Sequence, residues 1–333
     1  TPANPDPLAA AVAADVAIDP DLKPGLRSDR LNEWRRERAD QCLAVTETPN
    51  SADEIKLAAV RHALIQAPLG RRLLGSLTAN STTICVPEAG DGEELFVRPD
   101  DSALAFALSH LEAVVMNRDL AMGRAVFVAA HEFRHSWQAL QIPELNTATL
   151  SQPNDITASY IKEADANAFA LAVAWQLREG GQADAWRAAR HSSNYGDTAE
   201  QFAQAVRAHH RAHPQDSLTS DRAIQSGMRA AFEAWFDKPG LLTYYGDRAL
   251  EFRDRFDHSW PGRNALPRNL TERLGQLPLS AGRVSESYLE PTDIGVAAVL
   301  GSHYHASHAP QRVVARTTQA GSPAVTTTRP APH

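Results

Sequence analysis

The sequence predicts a mostly α (α+β) protein with a small β-sheet and a helical C-terminal half. Three observations predict it. Apolar residues recur at helical spacing almost without a break from residue 102 onward. Convincing β-type runs are confined to residues 82–86 and 95–98. Both ends of the chain are rich in Pro and Ala and lack hydrophobic periodicity. With 333 residues at 43% hydrophobic content, the chain can bury a sizeable core.

Residues 1–25 read as a disordered N-terminal segment. Ser51 followed by Glu54 is a capping box, which opens a helix through about Gln66; Pro68 separates it from a short helix over 69–77. The runs 82–86 and 95–98 flank the loop 88–94 in hairpin fashion. Helices are then expected near 102–116, 119–140, 155–178, 198–212, 220–237 and 245–257, with Asp197 and Glu200 as a second capping box. No repeat of fixed period is present, which excludes a solenoid. One domain is expected over 26–300, followed by a disordered tail over 301–333.

A net charge of −7 gives no general attraction to phosphate backbones or anionic lipid, and no local basic patch replaces it. Neither a nucleic acid nor a membrane is expected as partner. The longest apolar stretch, residues 168–175, is far short of the roughly 20 residues that a membrane helix needs. Residues 8–18 are Ala-rich, interrupted by Asp15 and preceded by no basic segment, so they read poorly as a signal peptide. The first residue is Thr, which fits either removal of Met or a trimmed precursor. Cys42 and Cys85 are the only cysteines, too few for a disulfide framework or a multi-thiolate zinc site. A reducing, cytoplasmic compartment is the expectation.

The chemistry is concentrated in His131-Glu132-x-x-His135, on the amphipathic helix near 119–140. Four residues advance a helix by about 6 Å and return nearly to the same side, so both imidazoles share a face and can grip one ion. Zinc takes neutral imidazole nitrogen and keeps an open position for water in catalytic sites. Glu132 lies beside that face as the candidate catalytic base. The same letters can also mark two histidines satisfied within a core. Val126, Ala129, Ala130, Phe133, Trp137 and Leu140 form an apolar stripe, and histidines at its edge need partners of some kind.

A third ligand is sought on the next long helix, where Glu163 and Asp165 both offer a carboxylate. Positions two apart point about 200° away from each other, so only one reaches the metal. Glu163 is preferred, because its face continues through small residues and Asn167 lies one turn on, placed to orient a ligand.

The pair of motifs resembles the gluzincins, in which a Glu on a later helix completes a zinc site. Glu163-x-Asp165-Ala166-Asn167-x-Phe169-Ala170 is similar to a pattern in small bacterial metallopeptidases that cleave repressors. With His135-Ser-Trp-Gln138 and Tyr245-Gly-Asp247, the whole also resembles an uncharacterised bacterial family classed with the metallopeptidases. The likeness covers roughly residues 50–255. It implies a zincin-like metallopeptidase core, a hydrolase acting on a protein or peptide, zinc on His131, His135 and Glu163, and Glu132 as base. The interval from His135 to Glu163 is longer than in thermolysin, so a loop around 143–153 must return the second helix. The alternative is a non-catalytic regulatory or interaction protein with a structural zinc, against which Glu132 argues.

Tyr244 and Tyr245 are candidates to stabilise an oxyanion, Tyr245 being the stronger. Gln138 is a candidate to contact substrate or support a ligand. The run 95–98 is the candidate edge strand for an extended peptide. His209 and His210 read as a solvated helix face, and His303, His305 and His308 as incidental.

Overall fold

A computed structural model describes residues 42–44, 51–77, 83–85, 105–108, 113–145, 150–256, 264–279 and 284–320. The expected N-terminal segment 1–25, the loop 88–94 and the run 95–98 lie outside the described residues.

The first strand, β1 (Cys42–Ala44), precedes a helical pair, α1 (Ala52–Gln66) and α2 (Pro68–Ser76). The capping box forms as expected: Glu54 N donates to Ser51 Oγ at 3.1 Å and Ser51 N to Glu54 Oε2 at 3.0 Å. Pro68 opens α2 at its first turn, where the missing N–H costs nothing.

Strands β2 (Thr83–Cys85), β3 (Ala105–Leu108) and β4 (Ala113–Met116) join β1 in one sheet of order β1-β2-β4-β3. β2 runs antiparallel to β1 and parallel to β4, and β3 is antiparallel to β4 with Ala105 opposite Met116. Within the stretch 102–116, expected as a helix, residues 105–108 and 113–116 are instead strands. Its Ala and Leu content favours helix locally, but the apolar runs are short and strand pairing overrides propensity.

Cys42 and Cys85 face each other in the β1–β2 register and form a disulfide. This corrects the reading of both as reduced thiols and removes the cysteine argument for a reducing compartment. Among the described residues, no helix is long and apolar enough to cross a membrane.

The helical body is built on α3 (Met122–Gln141) and α4 (Gln152–Glu179), joined by a 3₁₀ turn at Pro143–Leu145 and a segment that includes undescribed residues. α4 is buried along most of its length, and on every side from Ala164 to Leu177, so it is the central helix rather than a surface one. Around these two pack α5 (Asp184–Arg190), α6 (Gly196–Ala212), α7 (Asp221–Trp235) and α8 (Pro239–Phe256). The short helix α9 (Leu270–Leu274) touches α3.

Two further expectations fail. Asp197 and Glu200 make no capping box, because α6 starts at Gly196 and Asp197 is already inside it; Asp197 pairs with Lys238 and Glu200 with Arg190. The tail expected from 301 is instead helical to residue 320, in α10 (Pro291–Ala320). This helix docks on α4. A Cβ added at Gly301 would meet Thr157 Oγ1 at 2.3 Å, so only glycine permits the approach. Tyr304 is buried beside Tyr160, donates to Thr243 O at 3.2 Å, and is followed by His305, which bonds Gln152 at 2.9 Å.

Candidate metal centre

Helix α3 places His131 and His135 one turn apart, with rings edge to face and Nε2 atoms 3.1 Å from each other. Helix α4 crosses it and delivers Glu163, with Oε2 3.2 Å from His131 Nε2 and Oε1 3.3 Å from His135 Nε2. Among the described residues these three form the one cluster of metal-donor groups, with ligand atoms all within 4.8 Å of one another. Donors of a tetrahedral zinc at about 2.0–2.1 Å lie about 3.3 Å apart, so this spacing fits the ion. His131 is buried, whereas the side chains of His135 and Glu163 keep some exposure, so the cluster opens to one side.

The charges of the cluster act on one another across these contacts. Burial pushes the Glu163 carboxyl up, but His135 and His131 beside it more than offset this and hold it well below the usual range. Burial likewise pulls His135 down, yet Glu163, with help from Glu132 and Gln138, lifts it to about 9.

Glu132 is buried beside His131 and lies near enough to His135, Tyr195 and Tyr245 to act on them electrostatically. Of the two tyrosines singled out on sequence, Tyr245 turns inward and interacts with Glu163 and Tyr195. Tyr244 is partly exposed and accepts a bond from Arg248 at 2.7 Å. Burial, then the nearby Glu163 carboxylate, raises the phenols of Tyr195 and Tyr245, so both remain protonated donors.

Asn167 is fully buried, but its amide donates to Thr198 Oγ1 at 3.3 Å, and Thr198 Oγ1 donates to Tyr195 O at 2.8 Å. It anchors the start of α6, which carries Tyr195, rather than bonding a ligand directly.

Asp165 is not part of the cluster. It is fully buried, on the far side of α4 from Glu163, and accepts from Arg134 Nε at 2.7 Å and Nη2 at 2.9 Å. Gln138 Nε2 at 2.6 Å and Tyr288 OH at 2.6 Å complete its shell. Arg134 also donates to the carbonyls of Leu274 and Gln276 and lies over Trp137 at 4.0 Å.

Sequence reasoning passed over Arg134, Tyr195 and Tyr288. Arg134 carries a signal in hindsight: it sits between Phe133 and Trp137 of the apolar stripe, and a buried guanidinium needs an acid. Tyr195 and Tyr288 have no local signature, since only tertiary folding brings them here. His209 and His210 bond Asp216 and, among the described residues, join no group of three metal donors.

Neither the curated proteins nor the solved structures contain a match to this chain. Residues 35–282, which include both motif helices, match the family described as "Putative metallopeptidase family (DUF6782)", and the chain belongs to that family.

Proposed function

We propose that the chain is a zinc-dependent peptidase in which His131, His135 and Glu163 hold the ion and Glu132 is the general base. The observation that carries this reading is the convergence of three donor groups from two helices, whose nearest atoms are 3.1 to 3.3 Å apart, with Glu132 buried beside them. Bound there, zinc would supply a Lewis acid and bring the pKa of a coordinated water toward neutrality. The Glu132 carboxylate takes the proton of the attacking water and passes it to the departing amine nitrogen. Tyr195 donates its hydroxyl to the substrate carbonyl oxygen as negative charge develops there. Tyr245, engaged with Glu163, supports the ligand and is the second candidate for that donor role.

A protein or peptide substrate suits the sheet. β3 stands at one end of the described strand order and packs against α3, the helix of His131 and His135, and this edge is the one we infer an extended peptide would join. The competing role, a structural zinc in a non-catalytic protein, is less well supported. Structural sites close with four protein ligands, whereas three donors converge here among the described residues.

Elemental analysis of the purified chain is the test. About one zinc per chain is expected in the parent and none in His131→Ala. Glu132→Gln should keep the metal and lose peptide hydrolysis by about 10²- to 10⁴-fold. Undiminished hydrolysis by that variant would refute the assignment of the base.

A further inference from the structure

The Gln138 side chain sits between the candidate ligand His135 and the buried carboxylate of Asp165. Its Nε2 faces two acceptors, Asp165 Oδ2 at 2.6 Å and Lys162 O at 2.9 Å. A flipped amide would set its oxygen against both, so the orientation is forced by chemistry. Oε1 therefore faces His135 Nδ1, at 2.8 Å. An amide oxygen only accepts, so Nδ1 must carry a proton. A neutral imidazole has one N–H, which leaves the lone pair on Nε2, the atom 3.1 Å from His131 Nε2 and 3.3 Å from Glu163 Oε1.

Gln138 cannot drift from this position. Asp165 is pinned by two bonds from the fully buried Arg134 and one from Tyr288 OH. Lys162 O and Asp165 belong to α4, the helix that carries Glu163, so the bonds that hold Gln138 also fix the two motif helices against each other.

We propose that Gln138 is a positioning residue for the metal, selecting the His135 tautomer that presents Nε2 to the ion, and that Asp165 holds Gln138 in that role. The proposal rests on the metal-binding reading above and assigns Gln138 no contact with substrate. Supporting partners of this kind govern metal affinity by about 10- to 100-fold.

The test compares the parent with Gln138→Met, which keeps side-chain volume and removes the acceptor. Zinc affinity is read by competition with a chelator, and fold by thermal melting and circular dichroism. A loss of about 10- to 100-fold in zinc affinity is expected, with the fold retained. A folded variant with parental affinity would overturn the proposal, since a merely structural amide moves the melting temperature alone. A second measurement does not depend on the variant folding. Long-range ¹⁵N–¹H spectra of the zinc-loaded parent should show His135 protonated at Nδ1 and coordinated through Nε2; coordination through Nδ1 would overturn the proposal. A parent that takes up no zinc would remove the proposed function, and this inference with it.

Discussion

Asp165→Ala removes the carboxylate that, among the described residues, the Arg134 guanidinium bonds, while Arg134 stays fully buried. Breaking a buried ion pair from one side costs about 3–5 kcal/mol, because the remaining charge is uncompensated. Two terms adjust that figure. The carbonyls of Leu274 and Gln276 and the Trp137 ring still face the guanidinium, which favours the lower end. Gln138 and Tyr288 each lose an acceptor, at about 1 kcal/mol apiece, which favours the upper end. A loss of about 4 kcal/mol results, or about 10 °C in Tm for a domain of this size. Glu163→Ala should differ in kind, losing zinc while leaving the Arg134 network in place. Adding Arg134→Met to Asp165→Ala should recover part of the loss, since an apolar side chain needs no counter-charge. Melting of the chelated proteins and zinc content of the untreated ones are the measurements. If Asp165→Ala melted within about 2 °C of the parent, the reasoning would fail; complete loss of its zinc, beyond the weakening of about 10- to 100-fold that release of Gln138 predicts, would pass the ligand role to Asp165.

The pH dependence follows from the proton-sharing cluster. His135, raised from 6.5 to about 9, stabilises the metal-free fold below pH 6.5, and this contribution is lost as pH rises through about 9. Glu163, lowered well below 4.5, contributes above pH 4.5 and ceases to do so as pH falls through its folded-state value. Chelated protein should therefore lose Tm between pH 6.5 and 9, while the extra Tm conferred by zinc grows over the same interval, because the ligands must shed their protons; a flat chelated profile would contradict this. Truncation after Leu300 should lower Tm by several degrees, because it strips the Gly301–Thr157 contact and buried Tyr304 from α4. Gly301→Leu should cost about 1–3 kcal/mol by overpacking the same contact, and an unchanged melt for both would mean that α10 does not dock.

The parts of this protein legible in its sequence are those fixed within a few positions. His131, Glu132 and His135 are one turn of a helix, and the geometry of a turn dictates that they cluster. Ser51 and Glu54 cap a helix for the same reason. The equal spacing of Asp197 and Glu200 misleads because α6 begins earlier, at Gly196, and a capping pattern has meaning only at the true end of a helix. Strands β3 and β4 are hidden because Ala and Leu are good helix formers and nothing local announces their partners. The disulfide joins residues on β1 and β2 whose approach depends on a sheet register that spacing alone does not give. Tyr288 reaches Asp165 through the placement of residues 284–289 at the α3–α4 crossing, a contact with no trace in either segment.

Why Glu163 and Asp165, two positions apart on one helix, have different roles follows from the groups that α3 sets opposite them. α4 is buried along nearly its whole length, so neither carboxylate can be left without a partner. Asp165 is given Arg134, whose guanidinium grips it with two parallel bonds, so that pair is permanent and fixes the crossing of the two helices. Glu163 is given two imidazoles, whose ring nitrogens can each present a lone pair to an ion. The carboxylate facing guanidinium is thereby committed to structure, and the carboxylate facing imidazole is available for metal. Gln138 touches both arrangements, accepting from His135 and donating to Asp165, and so passes the rigidity of the permanent pair to the exchangeable one.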